Sequence, residues 1–525
     1  MNKNITQIFI VIFALLLAAC EVKEQPFLPE LTRIDLVITN GQVLDGRGNE
    51  AVDADLVIVD DTIVFVGETS FSEQDLGSRI ARTIDAKGRT VAPGFIDLHS
   101  HGNPLETPDF ENFLAMGVTT ITLGQDGDSP EVDDLGNWLQ EVSVNGLAPN
   151  LAMFVGHGTL RNISGIGRDA DPAEEAMEKM LSTLDDTLEY TFGLSQGLEY
   201  NPGLNAPATE LEAIARIVGQ KDRLIMSHMR NEDDDKIDAS IAELIEQGKH
   251  SRIHIAHLKS VYGKGDERGK EILQVIDQAR AGGVRISADT YPYNASYTGI
   301  SIVFPIWAKA AEQFQIAKQT RRAELETFLV NKVNRRNGPD ATLLGTEPYT
   351  GKTLADIAHE LEMPFEKVLI DEIGPQGASG AYFVMNDQLQ SAIIEDPNVS
   401  ICSDGRPGGF HPRGHGAFAK IIELYVNERK TLSLADAVRK MTSLPAETLQ
   451  LKDRGVLAKG MKADVIVFDP ANVKAKATYP NPFQFAEGFD LVIINGKVAR
   501  EDGALAATKA GTVLKPPPSS SQPAE

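Results

Sequence analysis

Cysteine is nearly missing from this sequence, which has only Cys20 and Cys402 among its 525 residues. At most one disulfide could form within the chain, and none if Cys20 is used for another purpose. The dense disulfide frameworks of small secreted domains are therefore excluded. The fold must be held together by its hydrophobic core, even in an oxidising compartment.

Basic residues are also in short supply. Lys and Arg number 50 against 75 Asp and Glu, which gives a formal net charge of −25 at pH 7. A nucleic-acid partner is not expected, because such binding needs a basic surface, and the acidity is better explained by solubility. The length suits one large barrel domain and a smaller second domain.

A long apolar run near the start, Ile8 to Ala19, has the length of a signal-peptide core and is too short to cross a bilayer. It ends in Leu17-Ala18-Ala19-Cys20, which resembles a bacterial lipobox. We therefore expect residues 1–20 to carry the signal, Cys20 to be lipidated, and residues 21–34 to form a tether. Glu21 suggests an exported lipoprotein at the periplasmic face of the outer membrane. The alternative is an ordinary secretory signal with an incidental cysteine.

Short β-rich segments with Gly and Asp turns occur at both ends of the remaining chain. Residues 35–92 contain several of them, and a matching pattern returns in residues 451–510. The two regions predict halves of one β-sandwich that is split by everything between them. Residues 511–525, which are rich in Pro and Ser, predict a disordered tail.

Between the two halves, apolar runs alternate with amphipathic stretches at the spacing of βα units. They predict a (β/α)₈ barrel of the TIM type over residues 93–450. The eight predicted strands lie around Phe95–His99, Thr119–Leu123, Leu151–Val155, Tyr190–Leu194, Leu224–Ser227, Ile253–Ala256, Arg285–Ala288 and Val399–Cys402. The long gap before the eighth strand predicts an insertion at about residues 298–390. The insertion would either cover the mouth of the barrel as a lid or only pack as an extra lobe.

Side chains that could bind a metal ion follow four of these strands. His99 and His101 share one face at the end of the first strand, where both can point to one metal ion. His228, His257 and Asp404 follow the fifth, sixth and eighth strands. Since a barrel gathers its strand ends at one mouth, these residues predict a metal centre there. Imidazole and carboxylate ligands suit Zn²⁺.

The other histidines are weaker candidates. His254 has the opposite strand parity to His257, which predicts that it faces the helix layer. His411 and His415 lie in a Gly-rich loop and are expected to be loop or substrate residues. His157, at the end of the third strand, would either contact substrate or be an ordinary buried loop histidine.

The first-strand segment Pro93–His101 resembles the corresponding motif of the amidohydrolase superfamily. Further segments are similar to its N-acyl-D-amino-acid deacylase branch, the D-aminoacylases. They are Gly197-Leu198-Glu199-Tyr200, Ser227-His228-Met229-Arg230-Asn231-Glu232, His257-Leu258-Lys259, Asp289-Thr290-Tyr291-Pro292-Tyr293, Ser403-Asp404-Gly405 and His411-Pro412-Arg413, with Lys440–Glu447 and Asp453-Arg454-Gly455. The resemblance covers nearly all of the chain after the tether.

The resemblance implies a role for each matching residue. His99, His101 and Asp404 would hold one metal position. His228 and His257 would hold the other, the one that is firmly occupied in D-aminoacylases. The substrate's carboxylate and the carbonyl under attack would be held by Lys259, Tyr291 and Arg413.

The second strand departs from the family pattern. Relatives end this strand in Gly-Asn-Cys-Gly with the Cys as a metal ligand, whereas this chain reads Gly124-Gln125-Asp126-Gly127. A carboxylate can also ligate or bridge zinc, so we expect Asp126 to be the ligand and one or two zinc ions to bind. Glu199 is the alternative ligand, because the fourth strand lacks the lysine that other amidohydrolases use as a bridge.

These features predict metal-dependent hydrolysis of a linear amide, with an N-acyl-D-amino acid as the substrate. Asp404 would take a proton from water as general base, and Arg413 offers a planar fork for the substrate's carboxylate. Selectivity for the D enantiomer follows from the resemblance alone. The alternatives are a D-dipeptidase, a cyclic-amide hydrolase similar to hydantoinase or dihydropyrimidinase, an enzyme acting on cell-wall peptides, and a catalytically inactive metal-binding surface lipoprotein.

Overall fold

The computed structural model describes residues 31–68, 78–132 and 134–518. The predicted signal and Cys20 therefore lie outside the described residues. No helix in the described ranges combines the length and apolarity needed to cross a membrane.

Strands and helices are numbered here in chain order. The strands are β1 (Ile34–Val43), β2 (Val52–Val59), β3 (Thr62–Gly67), β4 (Ile80–Asp85), β5 (Thr90–Pro93), β6 (Phe95–Asp97), β7 (Val118–Leu123), β8 (Asn150–Met153), β9 (Val155–Gly156), β10 (Gly193–Gly197), β11 (Leu224–His228), β12 (Arg252–Ile255), β13 (Ile286–Thr290), β14 (Ser296–Gly299), β15 (Thr342–Leu344), β16 (Ser379–Tyr382), β17 (Val399–Ile401), β18 (Val465–Phe468), β19 (Phe489–Ile494), β20 (Lys497–Glu501) and β21 (Ala504–Leu505). The α-helices are α1 (Glu111–Leu114), α2 (Leu135–Asn145), α3 (His157–Ile163), α4 (Glu174–Thr187), α5 (Ala208–Gln220), α6 (Ile237–Gly248), α7 (Asp266–Ala281), α8 (Ala311–Thr320), α9 (Arg322–Arg335), α10 (Leu354–Glu360), α11 (Phe365–Val368), α12 (Asp387–Glu395), α13 (Arg413–Lys420), α14 (Leu434–Met441) and α15 (Ser443–Leu449).

Both ends of the chain build one nine-stranded sheet. Its order is β21-β20-β19-β18-β5-β1-β2-β3, with β4 paired to β1 off this path. Strand β5 joins the halves, because it pairs parallel with β1 and antiparallel with β18. Val and Ile side chains of β1, β2, β18 and β19 share one buried core cluster. The predicted union of the two chain ends in one β domain is confirmed.

The middle of the chain forms the barrel. Strands β6, β7 and β8 pair in parallel, and so do β9, β10, β11, β12, β13 and β17. Strands β8 and β9 are one interrupted third strand, which Phe154 N–H ties to Leu123 O at 2.9 Å. The first and eighth strands close the ring through a parallel bridge between Ser100 and Gly405. The predicted eight-stranded parallel barrel is thereby confirmed.

The fourth barrel strand is displaced from its predicted position. The hydrophobic pattern predicts it at Tyr190–Leu194, whereas β10 covers Gly193–Gly197. Thr191 is still bonded back to the last residue of the preceding helix, since its N–H and hydroxyl both donate to Thr187 O, at 3.1 and 2.9 Å. The strand itself is buried but poor in apolar side chains, so the hydrophobic pattern points to the wrong residues.

The insertion, residues 296–385, lies between β13 and β17 as predicted. It contains the antiparallel sheet β14-β16-β15 and helices α8 to α11. Its own core cluster includes Phe304, Leu329 and Ile370. Because β14 follows the seventh barrel strand directly, the insertion starts at the mouth of the barrel.

The predicted disordered tail is wrong over its first residues. Gly511 N–H donates to Leu147 O at 3.0 Å, and Leu514 N–H donates to Leu151 O at 2.8 Å. This segment therefore runs beside the third barrel strand. Its Pro-rich composition hides the backbone hydrogen bonds, which depend on a partner far away in the sequence.

Candidate metal centre

The predicted ligands meet at the carboxyl ends of the barrel strands. His99 follows β6, Asp126 follows β7, His228 ends β11, His257 follows β12 and Asp404 follows β17. Three of them, Asp126, His257 and Asp404, have positive φ angles of 56°, 38° and 50°. Such angles are uncommon for residues other than glycine. Here each one turns a side chain out of the strand direction and into the barrel mouth.

The first group of ligands is formed by His99, His101, Asp126 and Asp404, whose candidate ligand atoms all lie within 4.8 Å of one another. His99 Nε2 is 3.3 Å from Asp126 Oδ1, and His101 Nε2 is 3.3 Å from Asp404 Oδ1. His99 is completely buried, yet neither of its ring nitrogens has a hydrogen-bond partner among the described residues. A buried imidazole in that state is explained by a metal ion on Nε2.

The second group of ligands is formed by Asp126, His228 and His257. His228 Nδ1 lies 3.7 Å and His257 Nε2 lies 3.4 Å from Asp126 Oδ1. Asp126 is therefore shared by both groups, as a carboxylate that bridges two cations would be. The donor set of imidazoles and carboxylates fits zinc.

Electrostatics agree with a charged carboxylate at the shared position. Burial alone would raise the pKa of Asp126, but the facing rings of His99, His228 and His257 lower it well below its usual range. For Asp404, burial likewise raises the pKa, while Arg413 and the neighbouring histidines outweigh it and lower the pKa. Both carboxylates are thus anionic at neutral pH and can serve as ligands.

Glu199 contacts His228 and lines the same cavity as the ligands. Its Oε2 lies 3.2 Å from His228 Nε2, the nitrogen opposite the one that faces Asp126. A carboxylate in this place fixes the orientation and tautomer of a ligand histidine. The geometry therefore favours Asp126 over Glu199 for the shared position, and Glu199 for support of His228.

Lys259 and Arg413 supply positive charge beside the ligands. Lys259 Nζ donates to Glu232 Oε1 at 2.7 Å and lies 2.8 Å from His257 Nδ1. Arg413 Nη1 is 2.7 Å from Asp404 Oδ2. Tyr291 is fully buried with its ring centroid 4.9 Å from the Arg413 guanidinium, and it does not line the cavity. Its ring packs against both cations, with Lys259 Nζ 5.9 Å from the centroid, and its contact with substrate stays a prediction.

For His157 the structure agrees with the second of its two predicted alternatives, an ordinary buried histidine. Its ring is completely buried and its Nε2 lies 2.7 Å from Glu210 Oε1. The same carboxylate accepts two hydrogen bonds from Arg161 Nη1 at 2.6 Å. The backbone turn into α3 directs the ring away from the cavity, so His157 is one partner of a buried ion-pair cluster.

The prediction that His254 faces the helix layer is wrong. Its Nε2 lies 3.0 Å from Asp289 Oδ2, and Asp289 Oδ1 accepts a hydrogen bond from His257 N–H at 2.5 Å. His254 thus lies beneath the metal centre. Strand parity fails because β12 ends at Ile255 and His257 takes a left-handed backbone conformation.

The ligands and cations open into a cavity of about 390 Å³. Its walls come from the barrel loops and from the insertion. Cavity residues that the sequence pattern did not indicate include Asp128, Asn162, Tyr200, Glu232, Tyr297, Arg336 and Arg406. Tyr200 and Glu232 lie in quoted family segments, which could have pointed to them. Nothing local marks Arg336, because its place depends on how the insertion folds.

Comparison with known proteins agrees with this geometry. Residues 350–500 match the model of the amidohydrolase family. The chain is 32% identical over 494 residues to the N-acyl-D-glutamate deacylase of Alcaligenes xylosoxydans xylosoxydans, which covers 88% of this chain and 93% of that protein.

Two similar solved structures extend the comparison. The first is N-acyl-D-glutamate deacylase from Bordetella bronchiseptica, complexed with zinc and a phosphonate mimic of the tetrahedral intermediate, with a TM-score of 0.79 and 30% identity over 92% of this chain and 100% of that one. The second is a D-aminoacylase with a binuclear metal centre, with a TM-score of 0.78 and 27% identity over the same shares. The chain belongs to the amidohydrolase family, in the branch of the N-acyl-D-amino-acid deacylases.

Proposed function

We propose that this protein is a zinc-dependent amidohydrolase that cleaves an N-acyl-D-amino acid into a carboxylate and a D-amino acid. The observation that carries the proposal is the pair of ligand groups sharing Asp126, with Lys259 and Arg413 beside them in one cavity. A metal centre next to two cations is suited to an amide that carries a free carboxylate. The relatives that act on N-acyl-D-amino acids support the same substrate class.

Zinc bound at these ligands supplies a Lewis acid that acidifies water and polarises an amide carbonyl. Asp404 Oδ1, which faces His101 at 3.3 Å, would accept the proton of the attacking water. The protonated Asp404 would then pass that proton to the leaving amine. Buried surroundings keep other water out and strengthen each of these contacts.

The carboxylate of the substrate is assigned to the two cations. Arg413 presents a planar fork that suits bidentate contact, and its Nη2 is fixed by Tyr297 O at 3.2 Å. The nearby Lys259 adds a second charge, held by Glu232. Together they would place the amide carbon in reach of the metal centre.

A substrate panel tests the proposal. Purified protein is assayed against N-acetyl-D-amino acids, their L enantiomers, D-containing dipeptides and hydantoins, in parallel with Asp404→Asn. We expect turnover of the N-acetyl-D-amino acids, lost in the variant while zinc is still bound. Preferred cleavage of dipeptides or hydantoins would replace the proposed substrate, and no turnover of any of them would indicate an inactive metal-binding protein.

We further propose that Cys20 anchors the protein to a membrane by a lipid, with the enzyme on the periplasmic face of the outer membrane. Support comes from the sequence, where an apolar run ends in Leu17-Ala18-Ala19-Cys20 and residues 21–33 precede the first strand at Ile34. Metabolic labelling with a fatty acid should mark the wild type and not Cys20→Ala. Equal labelling of both proteins, or of neither, would contradict the anchor.

A further inference from the structure

A second groove opens beside the metal cavity, and the proposed reaction does not use it. Its volume is about 470 Å³, against about 390 Å³ for the cavity that the ligands line. Asn201 lines both spaces, so they meet at this residue. The other residues along the groove are Arg168, Asn205, Ile306, Trp307 and Gln313. The cavity and the groove are therefore neighbouring parts of one cleft.

The same two chain segments form walls of both spaces. The loop after β10 contributes Tyr200 to the cavity and Asn205 to the groove, and the insertion contributes Ile302 to the cavity and Ile306 to the groove. Thr298 of β14 donates its hydroxyl to Tyr200 Oη at 3.2 Å, which ties the loop to the insertion. A ligand in the cavity can thus continue between these segments into the groove.

The groove has an apolar surface that the insertion turns outward. Phe304 and Ala308 are buried in the core cluster of the insertion. Between them, Ile306 is 62% exposed and Trp307 is half-buried. The guanidinium of Arg321 lies over the Trp307 ring, 3.8 Å from its centroid, and fixes the ring in place. An exposed isoleucine beside a fixed tryptophan is suited to an apolar ligand.

The polar residues of the groove either build its other wall or extend into water. Asn205 Nδ2 donates to Asn201 Oδ1 at 3.1 Å and to Pro202 O at 3.3 Å, so this wall is formed before a ligand arrives. Arg168 and Gln313 are exposed, and their long side chains can keep their polar ends in water. The apolar surface is thus left to select the ligand.

The proposed orientation of the substrate directs its acyl group to this groove. Arg413, assigned to the carboxylate, follows the eighth barrel strand β17, whereas Tyr200 and Asn201 follow the fourth strand β10. In a closed ring of eight strands, the fourth and the eighth lie opposite each other. When the carboxylate contacts Arg413 and the amide carbon lies at the metal centre, the acyl group is the far end of the substrate. It therefore extends across the barrel mouth towards Asn201.

We infer that the groove binds the distal part of a long aliphatic acyl chain, so that the preferred substrates are D-amino acids that carry a fatty acyl group. The inference rests on the proposed function and specifies the acyl group, which that function leaves open. Contacts made so far from the reacting bond raise kcat/KM for long acyl chains.

The test varies the acyl group on one amino acid. N-acetyl-D-alanine is compared with N-decanoyl-D-alanine and with a D-alanine derivative whose triether acyl group has the same chain length. A fourth substrate is the isomer of the decanoyl compound in which the acyl group is acetyl and the long chain is the side chain of the amino acid. Each is assayed with wild type, Ile306→Ser, Gln313→Trp and the control Leu361→Ala. Leu361 is an insertion residue with 43% exposure that lines neither space.

We expect wild type to favour the decanoyl substrate over N-acetyl-D-alanine by at least about tenfold in kcat/KM, because each buried methylene adds up to about fourfold. The triether and the isomer should gain less than about threefold, since neither places an apolar acyl chain in the groove. Ile306→Ser should reduce the decanoyl preference, and Gln313→Trp should abolish it by filling the groove. Leu361→Ala should match wild type.

Binding in the groove is also measured without turnover. The sequence has two tryptophans, Trp138 and Trp307. In a protein with Asp404→Asn and Trp138→Phe, tryptophan emission therefore reports on Trp307 alone. N-decanoyl-D-alanine should shift this emission to shorter wavelength, and N-acetyl-D-alanine should leave it in place.

Any of three results would overturn the inference. The first is equal wild-type kcat/KM for the acetyl and decanoyl substrates, a comparison that needs no variant to fold. The second is an equal or stronger preference for the triether or for the isomer, which would assign the groove to a polar acyl group or to the amino-acid side chain. The third is a decanoyl preference that Gln313→Trp leaves intact. Failure of the wild type to hydrolyse any N-acyl-D-amino acid would instead refute the proposed function and this inference with it.

Discussion

Asp126 shows how one residue can change the character of a metal site. By the family resemblance it occupies the position of a cysteine ligand, and in this structure its two oxygens face ligands of both groups, Oδ1 toward His99, His228 and His257 and Oδ2 toward His101. A thiolate offers a single soft atom, whereas a carboxylate offers two hard oxygens that can bridge. The substitution therefore favours a centre with two metal ions.

Replacement of Asp126 tests this role. In Asp126→Ala we expect the zinc content to fall by at least one ion per chain and kcat/KM to fall by at least about 100-fold. Asp126→Cys should retain one zinc ion. Zinc is measured by mass spectrometry of the purified proteins, with Asp128→Ala as the control because Asp128 lines the cavity but belongs to no ligand group. An Asp126→Ala protein with unchanged zinc and rate would show that another residue bridges the metals.

The sequence predicted which residues form the metal site better than it predicted where their side chains point. The histidines and carboxylates at strand ends were found because each follows an apolar run. His254 was misjudged, and His157 was left with two alternatives, because a side chain's direction depends on local dihedral angles, such as φ 38° at His257, and on remote partners such as Glu210. Neither leaves a signal in the local pattern.

Helix α13 connects the metal centre with the β domain. Its first residue, Arg413, donates its backbone N–H to His411 Nδ1 at 3.0 Å, and His411 Nε2 lies 3.1 Å from Ala295 O. Two residues further on, His415 packs between Phe483 and Phe485 of the C-terminal segment. The helix thus links Arg413, beside the metal centre, to an aromatic contact with the C-terminal segment.

His415 makes the fold sensitive to acid. Burial lowers its pKa to about 4, whereas in the unfolded chain it is near its ordinary value of about 6.5. Between these values the unfolded chain takes up a proton that the folded protein does not, so the free energy of unfolding falls as the pH is lowered from 6.5 to 4. The difference between the folded and unfolded pKa values of His415 corresponds to about 3 kcal/mol in the free energy of unfolding.

Thermal unfolding of His415→Phe, followed from pH 7 to pH 4, checks this effect. The variant keeps an aromatic ring but cannot take up a proton, so its unfolding temperature should fall less steeply with acid than that of wild type. The exposed His359 of α10 provides a control, since His359→Gln should follow the wild-type curve. Parallel curves for His415→Phe and wild type would contradict the assignment.

Elements with strong hydrophobic patterns were predicted correctly, and those built from small or polar residues were not. The runs ending in His99 and His228 gave the right barrel strands. Strand β10, Gly193-Leu194-Ser195-Gln196-Gly197, is fully buried but offers one apolar side chain of any size. Its neighbours β9 and β11 impose its conformation, and no single-segment pattern contains that information.

At the scale of the whole molecule, the barrel and the β domain are joined by several buried contacts in the described part of the chain, and two groups of them stand out. Phe95 of the first barrel strand stacks on Phe418 and meets Phe468 and Phe489 of the β domain, with ring centroids 5.7, 6.4 and 5.9 Å apart. A polar network lies nearby, in which Asn150 Nδ2 donates to Asp464 Oδ2 at 3.0 Å. Arg454 and Asn495, bonded to each other at 3.0 Å, also belong to this network.

Phe95→Ala should make the barrel and the β domain unfold at different urea concentrations. Removing a fully buried ring costs about 3–5 kcal/mol, and here the lost contacts lie between domains as well as within the barrel. We expect a lower unfolding midpoint in urea, with the transition broadened as the domains unfold apart. The half-exposed Phe485, replaced by Ala, should change the midpoint much less. Equal effects of the two substitutions would contradict the joining role of Phe95.

The central claim is that distant imidazoles and carboxylates bind zinc at the mouth of the barrel. Its most direct test is an anomalous difference map at the zinc edge from crystals of the full chain. The account predicts a peak about 2.0–2.2 Å from His228 Nδ1, His257 Nε2 and an oxygen of Asp126, with a second peak beside His99, His101 and Asp404 when both positions are filled. Zinc bound anywhere else, with these side chains hydrogen-bonded only to one another, would contradict it.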